Sequence, residues 1–137
     1  MFARMFASAL FMAALFMAAV SFSASAATCD QLLVPGGSYE DIHRGSTLVW
    51  TGDFQLDATY ACGNKICFKG TMAFDNYSGG DNLVTGEMSG SSLTLRRYVD
   101  ATGYTQTWKG TCKTASVSGI WINDINAADS GSFNIFY

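Results

Sequence analysis

The sequence predicts an all-β chain, folded as an antiparallel up-and-down meander barrel of about eight strands with two disulfides. Three observations predict it. A spelling of large apolar residue, any residue, Gly, any residue, large apolar residue recurs along the chain. It reads Trp50-Thr-Gly-Asp-Phe54, Phe68-Lys-Gly-Thr-Met72, Val84-Thr-Gly-Glu-Met88, Trp108-Lys-Gly-Thr-Cys112, Val117-Ser-Gly-Ile-Trp121 and, less completely, Asp129-Ser-Gly-Ser-Phe133. From Trp50 onward, apolar and polar residues alternate with the period of two that marks strands with one buried face. Turn compositions punctuate that alternation at Gly63-Asn64, 76–81, Ser89-Gly90, 100–103 and 124–129.

Before the barrel, residues 1 to about 22 carry Arg4 and then a nearly uncharged run of Ala, Leu, Phe and Met. The run falls short of the roughly 20 apolar residues that a bilayer-spanning helix needs, and Ala24-Ser25-Ala26 fits an A-x-A cleavage site. Residues 1–26 are therefore expected to be a cleaved secretory signal peptide, and 27–137 a single secreted or periplasmic domain without stable membrane insertion. Cys29 lies close enough to raise a lipoprotein signal as an alternative, but Ala26-Ala27-Thr28 is a poor lead-in for lipidation. Without Arg4, seven Lys and Arg face eleven Asp and Glu, a net charge of −4. No basic face follows from that balance, so nucleic acid is not an expected partner.

The exported segment opens with 29–33, which has the makings of one helical turn, and continues into 31–43, where Pro35-Gly36-Gly37 points to a short or irregular strand. From Trp50 the face assigned to the core carries Gly52, Phe54, Leu56, Ala58, Tyr60 and Cys62; Phe68, Gly70, Met72 and Phe74 continue it on the next strand. Further strands are predicted at 83–89, 92–99, 104–113, 116–123 and 130–137. Short loops make these seven an antiparallel meander whose first and last members run the same way. An all-antiparallel barrel then needs one more strand, which 31–43 must supply. Within that scheme the repeated Gly lies on the core face between two large side chains, where it lets a sheet curl tightly enough to close.

Four cysteines in an exported chain favour disulfides over zinc, because the chain has a single His and no second paired cysteine motif. Strand directions bring Cys29, Cys62, Cys67 and Cys112 to one end of the barrel. Cys62–Cys67 with Cys29–Cys112 is the favoured pairing, and Cys29–Cys62 with Cys67–Cys112 its rival.

The opposite end gathers the candidate site. Trp50, Arg97, Tyr104, Gln106, Trp121 and Asn123 fall there on the inward parity. A buried Arg needs a partner, and Trp50 is the expected one, a guanidinium resting on the indole. The cluster is either a plug that seals the barrel floor or the wall of a small pocket with Gln106, Asn123 and Arg97 as polar anchors; an eight-stranded barrel is wide enough for either. No catalytic residue, metal ligand or cofactor site is expected. His43, the single His, sits in the loop-like 39–44 and is expected at the surface. No G-x-S-x-G motif occurs, and the carboxylates fall mostly on the outward parity or in loops. The outward face is rich in Thr, and Asn76-Tyr77-Ser78 spells a glycosylation sequon.

Trp108-Lys-Gly-Thr-Cys112, Trp121 in the following strand and the terminal Asn134-Ile-Phe136 together resemble the second half of avidin-type barrels, and Trp50 with Arg97 is similar to the plug of lipocalins. The resemblance covers about the last third of the chain and is one of architecture. It implies that Trp108 joins Trp121 in stacking a ligand, and that Cys29–Cys112 parallels a disulfide of some avidin-type proteins. The expected function is thus a non-enzymatic binding module for a small molecule or short glycan. The alternative is an inhibitor of a secreted hydrolase of lysozyme or protease type, contacting its enzyme through Tyr39, Tyr77 and the loop 75–81.

Overall fold

A computed structural model describes residues 26–75, 78–99 and 103–137. Most of the expected signal peptide, Asn76, Tyr77 and the turn residues 100–102 lie outside the described residues. The chain forms a short helix, α1 (Cys29–Leu32), and eight strands: β1 (Ser38–Arg44), β2 (Val49–Cys62), β3 (Lys65–Phe74), β4 (Asn82–Ser89), β5 (Ser92–Val99), β6 (Tyr104–Cys112), β7 (Ser116–Asn123) and β8 (Ser130–Phe136). Each strand pairs antiparallel with the next, and β1 pairs with β8 from Glu40↔Phe136 to Arg44↔Ser132, closing the barrel. The predicted fold class and the extra closing strand are both observed.

Local chemistry sets the strand limits. Gly36 takes a φ of 81°, a conformation that costs a glycine nothing, and Gly37 N–H donates to the Val34 carbonyl at 3.0 Å, so regular pairing begins only at Ser38. In β2 the register shifts between Leu56 and Ala58, a bulge that the unbroken alternation of the sequence conceals. Beyond it, Thr59 pairs with inward Phe68 and Tyr60 with Cys67. The expectation that Ala58, Tyr60 and Cys62 continue the core face is corrected accordingly: Tyr60 is exposed on the outer wall.

The repeated Gly does meet a close approach. A Cβ on Gly119 would lie 2.0 Å from the Lys109 carbonyl oxygen and 2.6 Å from the Cα of Gly110, its partner across β6 and β7. Strands can press together there only because both positions lack side chains. Phe54, Leu56, Phe68, Met72, Leu93, Leu95, Phe133 and Ile135 fill the middle of the barrel and are almost wholly buried. Burial of each such side chain is worth about 1.5–3 kcal/mol.

One end is stoppered. Both disulfides of the favoured pairing are present, Cys29–Cys112 and Cys62–Cys67, with Cα separations of 5.4 and 5.7 Å. Cys29 N–H also donates to the Gly90 carbonyl at 2.9 Å, which seats α1 on the β4–β5 turn. Behind it Leu33 is fully buried, and the Tyr39 hydroxyl accepts the Val34 N–H at 2.8 Å. Tyr39 is thereby buried beneath α1 rather than displayed as a protein-contact residue. The two bridges are consistent with an oxidising compartment.

Candidate functional site

The other end of the barrel is polar inside, and two of its residues were misplaced from sequence. β1 was expected to leave His43 on a loop and its carboxylates in solvent. Instead Tyr39, Asp41 and His43 alternate inward, with Asp41 fully buried and His43 2% exposed. The charged spelling Glu40-Asp41-Ile42-His43-Arg44 hides the strand, because two of its inward positions are polar. Inward Tyr39 was the signal available, since period two from it selects Asp41 and His43.

His43 is the hub of an aromatic ring of neighbours. Its imidazole is nearly parallel to Trp50 at a centroid distance of 6.2 Å, and meets Phe74, Trp108 and Trp121 edge to face at 4.8, 5.0 and 5.9 Å. Register explains the assembly: His43 pairs with Trp50 on one side and Phe133 on the other, while Trp108 faces Trp121 across β6 and β7. Since His43 is 10° from the plane of Trp50 and 87° from that of Trp121, the two indoles lie close to perpendicular.

His43 Nδ1 lies 3.1 Å from Asp41 Oδ2, whereas Asp41 Oδ1 is sealed from solvent without a hydrogen-bond partner among the described residues. An orphan of that kind costs about 1–3 kcal/mol. Burial raises the Asp41 pKa above its ordinary 3.8, against the hydrogen bond and charge of His43 and the charge of Arg97, which lower it. The folded state therefore holds the proton to higher pH than the unfolded state does. Its contribution to stability is full below the unfolded-state value and is lost as pH rises through the folded-state value. Asp41→Asn is expected to flatten the decline in urea midpoint between the acid side and neutrality; an unchanged slope would assign that decline to other groups.

Arg97 lies beside this pair, but the ring under it is not Trp50. Its Cζ sits 4.2 Å from the centroid of Phe74, which corrects the expected stack on the indole. Its Nε donates to Asn82 Oδ1 at 2.7 Å and Nη1 to Gln106 Oε1 at 3.1 Å. Asn82, 1% exposed at the start of β4, was not foreseen. It falls between the predicted turn 76–81 and the predicted strand 83–89 and was assigned to neither. Gln106 Oε1 also accepts Trp108 Nε1–H at 3.1 Å, so one carbonyl oxygen ties Arg97 to Trp108.

Above this floor the barrel opens into a cavity of about 200 Å³. Trp50, Trp121 and Tyr104 line it, Arg97 and Gln106 form its polar base, and the β1–β2 turn from Gly45 to Leu48 and Asp129 stand at its mouth. Trp121 is pinned by Nε1–H donation to the Arg44 carbonyl at 3.1 Å. Five of the seven candidate residues thus meet around one space. Trp108 is fully buried beneath it and orients Gln106. Asn123, the last residue of β7, instead ties down the β7–β8 loop: its Nδ2 donates to Asp129 Oδ2 at 3.0 Å and its Oδ1 accepts from Ile125 N–H at 3.0 Å. Asp124 is likewise engaged, by the hydroxyls of Thr105 and Thr107. Among the described residues no group of three or more His, Cys, Asp or Glu is placed to hold a metal ion.

Fold and site together define a closed eight-stranded antiparallel barrel with a disulfide-stapled stopper at one end and an aromatic cavity over a polar floor at the other. No family model matches the chain, and no curated protein matches it in sequence.

Proposed function

We propose that this chain is a secreted or periplasmic binding module that takes a small molecule in the cavity between Trp50 and Trp121. The observation that carries this reading is the cavity itself: about 200 Å³ of open space at the end of a barrel whose middle is packed solid with side chains. A plug would fill that space, whereas a site has concave apolar walls and a few convergent polar groups. The size favours one compact molecule or a single sugar ring over a longer glycan. Two indoles and a phenol supply stacking area that loses little entropy on binding, and Arg97 and Gln106 supply orientation. Export into an oxidising compartment fits both the disulfides and the signal-like leader.

Trp50 and Trp121 make the test optical. Titration of metabolites and monosaccharides is expected to change tryptophan fluorescence saturably, and Trp121→Ala to weaken the responding ligand by about tenfold or more, the loss of one stacking wall. A flat response across a broad panel would remove the basis for this reading.

A further inference from the structure

The amide of Gln106 fixes what kind of atom the cavity accepts at its deep end. An amide side chain can be turned either way round, and only its partners settle which end points where. Here the partners are two N–H donors, Trp108 Nε1 and Arg97 Nη1, both 3.1 Å from the same atom. A donor pair holds an oxygen, so the orientation is determined. The NH₂ is then the group that Gln106 has left to present. Both side-chain hydrogen bonds of Gln106 among the described residues fall on Oε1, and Nε2 is not one of the partnerless polar atoms sealed from solvent. Because Gln106 lines the cavity and is otherwise 4% exposed, the space that Nε2 touches is the cavity.

We propose that the cavity takes a compact planar ligand whose deep end is a carbonyl or carboxylate oxygen, held by donation from the NH₂ of Gln106. The inference rests on the reading of the cavity as a ligand site and deepens it. The flat shape follows from the two near-perpendicular indoles: a ring stacked on one presents its face there and meets the edge or face of the other at right angles. The polarity along the ligand follows from the two ends of the cavity. Its base offers the amide donors of Gln106 beside the Arg97 cation, whereas its mouth carries the carboxylate of Asp129. A molecule with an acceptor oxygen inward and a donor group outward satisfies both. A ligand with an apolar or donor group at the deep end would cover the Gln106 N–H groups without giving them a partner, and sites built around a hydrogen bond reject analogues that lack it.

Four probes of similar size test this: acetophenone, benzoate, ethylbenzene and benzylammonium. Affinities are measured by calorimetry, and the indole N–H resonances of Trp50 and Trp121 report that a probe is in the cavity. For the wild-type chain, acetophenone and benzoate are expected to bind on the order of tenfold tighter than ethylbenzene and benzylammonium. Benzoate ahead of acetophenone would identify a carboxylate ligand, and the reverse a neutral carbonyl. Gln106→Glu keeps an oxygen for Trp108 and Arg97 but turns the exposed donor into an acceptor, so the preference is expected to invert: acetophenone and benzoate weaken and benzylammonium tightens.

Equal binding of acetophenone and ethylbenzene by the wild-type chain overturns the proposal while the cavity remains a site. So does an acetophenone affinity unmoved in a Gln106→Glu variant with native near-ultraviolet dichroism. If that variant does not fold, the wild-type ratio of acetophenone to ethylbenzene decides alone. Binding of none of the four overturns the cavity reading and the proposal together.

Discussion

Cys29→Ser/Cys112→Ser is expected to lower the unfolding free energy by about 4 kcal/mol, roughly twice the cost of Cys62→Ser/Cys67→Ser. The two bridges differ little in their Cα separations but greatly in the loop they close, 83 residues against 5. In the chain-entropy account, cross-linking removes freedom from the unfolded state in proportion to the logarithm of loop length, which gives about 4–5 kcal/mol for the long loop and about 2 for the short one. Burial widens the gap. Cys29 is wholly enclosed and Cys112 is 5% exposed, so the serines introduce hydroxyls where apolar sulfurs were, while Cys62 and Cys67 sit partly in solvent at a hairpin tip. Loss of the long bridge also frees α1, and with it the cover over Leu33 and Tyr39. Guanidinium unfolding of both double variants, with reduced wild type as the reference, measures this. Equal losses would mean that the stopper is held by packing rather than by its staple.

Arg97→Met is expected to cost about 3–5 kcal/mol, although methionine packs well against Phe74. The loss arises from what the guanidinium leaves behind. Asn82 Oδ1 and Gln106 Oε1 each lose a donor, and the Asp41 carboxylate, already lacking a partner at Oδ1, loses its neighbouring positive charge. Breaking a buried polar network by removing one member is costlier than removing its members together. Asp41→Asn is therefore expected to recover part of the loss when added to Arg97→Met, and the double-mutant cycle by urea denaturation gives the coupling directly. Strict additivity would show that Arg97 and Asp41 do not share a network.

Much of this architecture was legible because alternation and turns are local properties. β5 and β7 were placed to the residue, and strand directions alone brought the four cysteines to one end and favoured the pairing observed. The closing strand was demanded by counting, yet its contents were misread. Asp41 and His43 carry charge in a segment with few apolar residues, and nothing local distinguishes a charged strand facing solvent from one facing a barrel floor. The bulge after Leu56 escaped for the opposite reason, since the sequence keeps alternating while the backbone slips one place. Arg97 on Phe74 joins β5 to β3, and register between non-neighbouring strands has no signature in either. Asn82 shows the same limit: a polar residue beside a turn was the first residue of a strand.

The pairing of β1 with β8 ties the start of the described barrel to its end. Its paired residues lie 88 to 96 positions apart, from Arg44 with Ser132 to Glu40 with Phe136. The other seven strand pairings join sequence neighbours, so this closure carries the largest loop-closure cost in the barrel. The cavity draws Trp50 from the second strand, Arg97 from the fifth, Gln106 from the sixth and Trp121 from the seventh, and its two indoles flank His43 on the first. On the binding reading proposed above, uptake would require those four strands to be assembled together, so refolding of the chain could be timed by the appearance of binding.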